Sequence, residues 1–279
     1  MKTKLVSERG TADFIFGILA FCLLLIVIYP LLWLMLSSLK FETDIIQYPP
    51  GMWPQDFTIQ QYVRVWEKLP LATMFRNTFV FSTLVTLSNI LFCAMGGYAF
   101  ARLPIKGKNI LFIIVIMTMM VPFQIIMIPL YIIEHHLGIL DTFPGLVLPR
   151  LTWPFALYLM RQFFISMPRD FEESARIDGA SEYRIFWQVM LPQCIPAVIT
   201  VGIMTFMNNW NDLVYPLLLT NSVRMRTLSA GLAMFVGQRT IEYGATLAAS
   251  MISLLPLLIG YIFMQRYFVR GAVLSGIKG

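Results

Sequence analysis

The sequence SMPRDFEESARIDGASEYRIFWQVMLP, residues 166–192, predicts a helix, a turn and a second helix. Ser166 is the expected cap of the first helix, and Pro168 is tolerated in a first turn. Acidic side chains crowd the start of that helix, where the helix dipole favours anions: Asp170, Glu172 and Glu173.

The rest of this stretch completes a compact hairpin. Gly179 stands where a helix would end in a left-handed residue, and Ser181 can cap a second helix that Pro192 closes. Phe171 and Ala175 share one face of the first helix at i, i+4 spacing. A spanning bundle has little use for such an amphipathic element. We therefore expect residues 168–193 to dock a soluble partner.

The sequence on either side of the hairpin has the composition of a membrane protein. Of the 279 residues, 58% are hydrophobic and 13% are charged, and the mean hydropathy is +0.72. A soluble domain carries about 25% charged residues. The three cysteines show no spacing typical of a disulfide framework, and the adjacent His135 and His136 are not at the helical spacing of metal ligands. We expect no metal site.

Six stretches approach the roughly 20 apolar residues that a spanning helix needs. We expect them to form an all-α protein with one transmembrane domain over residues 1–279. The stretches are Phe14–Leu39, Phe75–Ala101, Ile110–Ile133, Pro149–Met167, Ile195–Leu219 and Tyr243–Phe268. The apolar run 14–36 is too long for the core of a cleaved signal peptide, so it is predicted to be the first span.

The basic residues predict the orientation of these spans. With the N-terminus inside, 13 of the 21 Lys and Arg residues lie on the inner side, including Arg102, Lys106 and Lys108 in one short gap. The positive-inside rule therefore places both termini and the hairpin in the cytoplasm. The segment Thr220–Glu242 is then predicted to be an outer loop.

Prolines interrupt several of these spans, and two interpretations stay open. The residues are Pro122, Pro129, Pro216 and Pro256. Each proline removes a backbone donor and can kink its helix. They indicate either ordinary membrane-helix curvature or broken helices that frame a gated pathway.

A polar cluster in the fifth span is the candidate solute pathway. Asp212 is the one acid placed inside a predicted span, where an ionisable group suggests function. The amides and rings beside it suit sugars, and four of these residues would share one helical face. The cluster is Asn208, Trp210, Asn211, Asp212 and Tyr215. Polar contact between helices is the equally open alternative.

The hairpin resembles the Glu-Ala-Ala signature, or EAA motif, of permease subunits in binding-protein-dependent ABC importers. The matching residues are Glu173, Ser174, Ala175, Arg176, Ile177, Asp178, Gly179 and Ala180, with Ser174 in place of the first alanine. Two further stretches are similar to carbohydrate-uptake permeases, NNWNDLVYPLLL at 208–219 and QRYFVRGAVLSGIKG at 265–279. The ending resembles the second permease subunit of maltose-type transporters but is not identical to it.

The resemblance implies a type I ABC importer permease (MetI-like) fold in a bacterial or archaeal cytoplasmic membrane. It implies a second permease subunit, two ATPase subunits that bind ATP and Mg, and an extracytoplasmic solute-binding protein that delivers a sugar. Glu173 would pair with a basic residue of the ATPase, and Gly179 would let the turn approach it. The C-terminal residues Gly276, Lys278 and Gly279 would also contact the ATPase. No cofactor is expected in this chain.

Other classes of protein fit the sequence less well. The only Gly-Lys pair, Gly107–Lys108, is followed by Asn109, so no phosphate-binding loop is present and ATP hydrolysis requires another subunit. An ion-coupled secondary transporter usually shows intramembrane acids or two similar halves. An intramembrane enzyme would need a nucleophile with its base or a metal motif. Within the importers, a polyol or sugar phosphate is the alternative solute.

Overall fold

The structure, a computed structural model, describes residues 2–236 and 242–276, and every regular element within them is helical. The helices are α1 (Lys2–Ser37), α2 (Glu42–Ile46), α3 (Gln60–Lys68), α4 (Leu71–Arg102), α5 (Lys108–Met117), α6 (Phe123–Leu137), α7 (Phe143–Val147), α8 (Pro154–Ser166), α9 (Asp170–Ile177), α10 (Glu182–Arg184), α11 (Leu191–Gln193), α12 (Ile195–Trp210), α13 (Val214–Leu219), α14 (Leu228–Val236) and α15 (Tyr243–Gly276). Thr118–Met120 and Leu148–Arg150 form 3-10 turns, and Ile185–Met190 forms a π-helical stretch.

The helices form two compact units. The first consists of Met1–Leu69 and Met234–Leu255, and the second of Pro70–Ala233 and Pro256–Gly279. In the first unit, an 18-residue apolar window within Phe16–Ser37 of α1 is not buried by the rest of the chain, and only the end of this stretch, at Leu36 and Ser37, is buried. Such an exposed apolar surface fits a helix that is solvated by lipid or by another membrane subunit.

Polar contacts connect other parts of the first unit. The Lys40 ammonium donates to the Gly51 carbonyl at 2.5 Å, and burial lowers the pKa of Lys40. The Glu42 carboxylate accepts hydrogen bonds from the backbone N–H groups of Tyr243 and Gly244, at 2.7 and 2.9 Å. Because the first N–H groups of a helix lack partners within it, Glu42 stabilises the start of α15.

The core of the second unit lies where α4 packs against α8 and α12. The buried residues there include Cys93, Ala94, Tyr98, Ala156, Met160, Phe164, Phe186, Ala197 and Val201. Gly97 brings the backbones of α4 and α8 together, because a Cβ atom there would lie 2.7 Å from Met160 Cβ and 2.8 Å from the Arg161 nitrogen. Small residues allow this close approach between apolar helices.

The helices of the structure do not reproduce all six predicted spans as single continuous helices. Within residues 2–236 and 242–276, three helical stretches are long and apolar enough to cross a membrane, namely Phe16–Ser37, Leu71–Arg102 and Tyr243–Gly260. Two helix pairs would also qualify, but Lys108–Met120 and Phe123–Leu137 meet at 98°, and Glu182–Gln193 and Ile195–Trp210 meet at 77°. The fourth predicted span contains α8, which has 13 residues.

The prediction of a loop over Thr220–Glu242 is wrong for part of that segment. Helix α14 occupies Leu228–Val236, and Leu228 and Ala230 are buried. The Leu228 N–H donates to the Thr78 hydroxyl at 2.7 Å, which ties the start of α14 to α4. Apolar burial within the second unit therefore makes this part helical, although its sequence also suits a loop.

Replacing Gly97 tests the close packing of α4 on α8. We expect Gly97→Ala to destabilise the protein by about 1–3 kcal/mol, because overpacking a filled interior forces neighbours to shift. Thermal unfolding of the detergent-solubilised protein measures the effect. Gly17→Ala is the matched control, since a Cβ at Gly17 meets nothing within 4 Å. Equal melting temperatures for both variants would contradict the packing described here.

Candidate functional site

A cavity of about 560 Å³ opens in the second unit between α4, α6, α12, α13 and the turn before α8. Its wall is mostly apolar, with a few convergent polar groups, as in many small-molecule sites. The lining residues are Val85, Asn89, Phe123, Ile126, Pro129, Leu130, Ile133, Pro149, Arg150, Thr152, Trp153, Thr205, Asn208, Asn209 and Tyr215.

Arg150 is the charged residue of this lining, and the protein itself holds its guanidinium. One nitrogen donates to Asn209 Oδ1 at 2.7 Å, and another forms an ion pair with Asp212 Oδ2 at 2.5 Å. The guanidinium carbon lies 3.8 Å from the centre of the Tyr215 ring, which is a cation–π contact. The cation is thus neutralised by a neighbouring acid within the chain.

The same residues hold a break in the helix that the sequence predicts over 195–219. Helix α12 ends at Trp210 and α13 begins at Val214. The second Asp212 oxygen accepts a hydrogen bond from the Tyr215 N–H at 3.2 Å. This contact supplies a partner for a backbone group that the break frees, as apolar surroundings require.

The break changes the predicted solute cluster, because its members do not share one helical face. Asn208 and Tyr215 line the cavity. Asp212 does not line it and instead forms an ion pair with Arg150, which does. Trp210 is buried against Phe75 and Phe206. Asn211 is exposed and donates to the Met207 carbonyl at 3.1 Å. The structure therefore brings two of the five predicted residues to the cavity wall.

Sequence reasoning missed several polar residues at this site. Asn89 is fully buried in α4 and donates to the carbonyls of Val85 and Arg150, each at 2.8 Å. An amide inside a predicted apolar span indicates a polar contact between helices, and this pattern was visible in the sequence. Arg150 lies at the start of the predicted span Pro149–Met167, and its pairing with Asp212 joins residues too far apart in sequence for a pattern to predict.

Glu134 is a second acid that the sequence placed outside the spans. The structure extends α6 to Leu137, so Glu134 lies within the helix and is 1% exposed. Neither carboxyl oxygen has a hydrogen-bond partner among the described residues. Glu134 is thus a second acid, besides Asp212, in a stretch that is a candidate for crossing the membrane.

The other candidate region is the 170–193 hairpin, formed by α9, a turn, α10, the π-helical stretch and α11. Gly179 has φ of +79°, the left-handed conformation that the sequence predicts. The Ser181 hydroxyl accepts a hydrogen bond from the Arg184 N–H at 3.4 Å, which confirms the predicted cap. Ser166 does not cap α9, because it ends α8 and its hydroxyl donates to the Phe163 carbonyl. Pro192 lies within α11 and does not close it.

The motif residues divide between the outside and the inside of the hairpin. Ala175 and Ala180 pack against the core of the second unit. The exposed residues are Glu173, Ser174, Arg176, Asp178 and Gly179, together with the large apolar side chains of Phe171, Ile177 and Tyr183. Ile177 is 87% exposed, which is unusual for a large apolar side chain and is typical of an interaction surface. Gly276 ends α15, whereas Lys278 and Gly279 lie outside the described residues.

Known proteins resemble this chain along most of its length. The chain matches the family described as binding-protein-dependent transport system inner membrane component over residues 93–272. The arabinooligosaccharides transport system permease protein of Halalkalibacterium halodurans is 33% identical to it, over 91% of this chain and 92% of the relative. The sulfoquinovosyl glycerol transport system permease protein of Agrobacterium fabrum is 30% identical, over 99% and 100%.

A solved structure extends the comparison to the fold. One chain in the crystal structure of a bacterial ABC transporter involved in the import of the acidic polysaccharide alginate matches with a TM-score of 0.81 and 26% identity. The match covers 92% of this chain and 98% of that one. These findings confirm the predicted all-helical importer-permease fold, the membrane location and the non-catalytic role, with ATP hydrolysis in a separate subunit. The chain belongs to the family of binding-protein-dependent transport system inner membrane components.

Proposed function

We propose that this chain forms half of the translocation pathway of an ATP-driven importer for a sugar or oligosaccharide. The observation that carries the proposal is the exposed, motif-bearing hairpin on a permease fold. The relatives named for arabinooligosaccharides and sulfoquinovosyl glycerol support a carbohydrate solute. A polyol or a sugar phosphate is the alternative.

The working complex contains this chain, a second permease subunit, two ATPase subunits and an extracytoplasmic solute-binding protein. The chain crosses the membrane six times. The three continuous stretches, the bent pair of α5 and α6, α8, and α12 with α13 provide the six crossings. Both termini and the hairpin face the cytoplasm, because the inner side then carries the denser positive charge.

The hairpin is the surface that docks on the ATPase. Glu173 is exposed and free to pair with a basic group of the ATPase, a contact that is stronger than a neutral hydrogen bond. The exposed Phe171, Ile177 and Tyr183 supply apolar area around this charge. Gly276, Lys278 and Gly279 form a second contact with the ATPase pair. ATP-driven closure of the ATPase subunits then moves the hairpin and opens the pathway outward.

The solute passes the cavity that Asn208 and Tyr215 line. Its amides and aromatic rings offer the hydrogen bonds and stacking surfaces that sugars use. Asn208 is exposed toward this space, while Arg150 is neutralised by Asp212. Asp212 therefore acts on the pathway through Arg150, and Asn211 and Trp210 act through the shape of the helix break.

Removing the charge of Glu173 tests the docking surface. We expect Glu173→Gln to weaken binding of the ATPase subunit by roughly tenfold or more, since a charged hydrogen bond contributes about 1.5–3 kcal/mol. Titration of the purified ATPase onto the permease pair in nanodiscs measures this affinity. Glu67→Gln is the matched control, because Glu67 is an exposed acid on α3. Native affinity for Glu173→Gln would contradict the docking role.

Gly179 tests the close approach of the turn to the ATPase. Asparagine tolerates the left-handed conformation, and a Cβ at Gly179 meets no atom of this chain within 4 Å. We expect Gly179→Asn to fold with a native melting temperature and yet to lose ATPase binding. A folded variant that binds the ATPase normally would show that the turn does not contact the partner closely.

Asn208 tests the pathway. We expect Asn208→Leu to lower solute uptake several-fold while assembly and basal ATP hydrolysis stay unchanged, because a polar group of the cavity wall is lost. Uptake of labelled oligosaccharide into proteoliposomes is the measurement. Asn109→Leu is the matched control, since Asn109 is also exposed and does not line the cavity. Equal uptake by the two variants would contradict the proposal that the solute passes through this cavity.

A further inference from the structure

Five polar side chains join the end of α4 to the 170–193 hairpin, and we call them the polar strut. They are Tyr98, Arg102, Glu172, Arg176 and Glu182. Tyr98 and Arg102 are four residues apart in the last turns of α4, and Glu172 and Arg176 are four residues apart on α9. Each pair thus lies on one face of its helix.

Arg102 is the buried centre of the strut. Its guanidinium forms an ion pair with Glu172 at 3.0 Å, and the two side chains are 5% and 4% exposed. It also donates to the carbonyls of Phe164 and Met167, each at 2.5 Å, where α8 ends. The Arg102 side chain therefore connects α4 with α9 and with the end of α8.

Arg176 extends the strut to α10. It lies 3.6 Å from the second Glu172 oxygen and donates to Glu182 at 2.8 Å. The hydrogen bond to Glu182 raises the pKa of Arg176 above its ordinary value. The Tyr98 hydroxyl donates to the other Glu182 oxygen at 3.0 Å, so the chain of contacts returns to α4.

The two faces of α9 thus have different surroundings. Glu172 is turned inward and is 3% exposed, whereas its neighbour Glu173 is exposed. Apolar contacts beside the strut, such as Tyr98 on Phe164 and Phe186, have ring centroids 5.5 and 5.3 Å apart. Apolar contacts alone are non-directional and allow one surface to slide on another. A buried ion pair resists separation, because each charge would be left without a partner.

We propose that the polar strut transmits the displacement of the docked hairpin to the membrane helices α4 and α8. This inference rests on the proposed docking of the hairpin. The five side chains are positioning residues: none of them lines the cavity, and they make the hairpin and the ends of α4 and α8 move as one body. ATP hydrolysis without the strut moves the hairpin but drives less transport.

The test separates docking from coupling in the complete importer reconstituted in proteoliposomes. For each variant we measure ATPase retention on purification, binding-protein-stimulated hydrolysis, and solute taken up per ATP hydrolysed. Glu172→Gln keeps the shape of the side chain and removes its charge. We expect it to retain the ATPase within twofold and to lower uptake per ATP at least fivefold. Asp170→Asn, an exposed acid on the same helix, is the matched control and keeps the native ratio.

A native uptake-per-ATP ratio in assembled Glu172→Gln overturns the proposal. If that variant fails to assemble, Tyr98→Phe and Arg176→Gln decide, because each removes only outer contacts of the strut. A lowered uptake-per-ATP ratio in both variants supports transmission. Native ratios in both would show that the strut has only a structural role and would overturn the proposal. The ratio of solute taken up to ATP hydrolysed is measured on assembled complexes only. It therefore tests transmission through the strut, whereas ATPase binding by Glu173→Gln tests docking.

Discussion

A polar or charged side chain inside an apolar bundle is costly unless it finds a partner within the protein, and this constraint shapes much of the second unit. Arg150 is neutralised by Asp212, and Arg102 by Glu172. The hydroxyls of Thr78, Thr86 and Thr200 donate to carbonyls one turn earlier in their own helices. Each pairing fixes the position of the elements that carry it. These contacts therefore define the architecture and also supply partners for the polar groups.

Two ion pairs, one partly buried and one buried, connect the fold to transport. The Arg150–Asp212 pair holds the break between α12 and α13, beside the cavity in which we place the solute pathway. The Arg102–Glu172 pair holds the hairpin against the ends of α4 and α8. An importer has to convert movement at its ATPase into movement of a pathway inside the membrane. Rigid joints at both ends of the second unit suit that task.

The sequence predicts local features well, because they depend on near neighbours. The left-handed Gly179 and the Ser181 cap follow from residue type and spacing, and the family follows from the motif around them. The break at 211–213 and the pairing of Asp212 with Arg150 do not, since the partner lies 62 residues away. Helical spacing separates Glu172 from Glu173, but only the packing of α9 on α4 decides which of them turns inward.

The most direct measurement is uptake of a labelled oligosaccharide into proteoliposomes that contain this chain, its partner permease, the ATPase and the binding protein. The account predicts uptake that requires both ATP and the binding protein and that persists when proton and sodium gradients are collapsed. Uptake that continues without ATP and stops when the ion gradients are collapsed would contradict it. That result would identify an ion-coupled transporter and would turn attention to the buried acid Glu134.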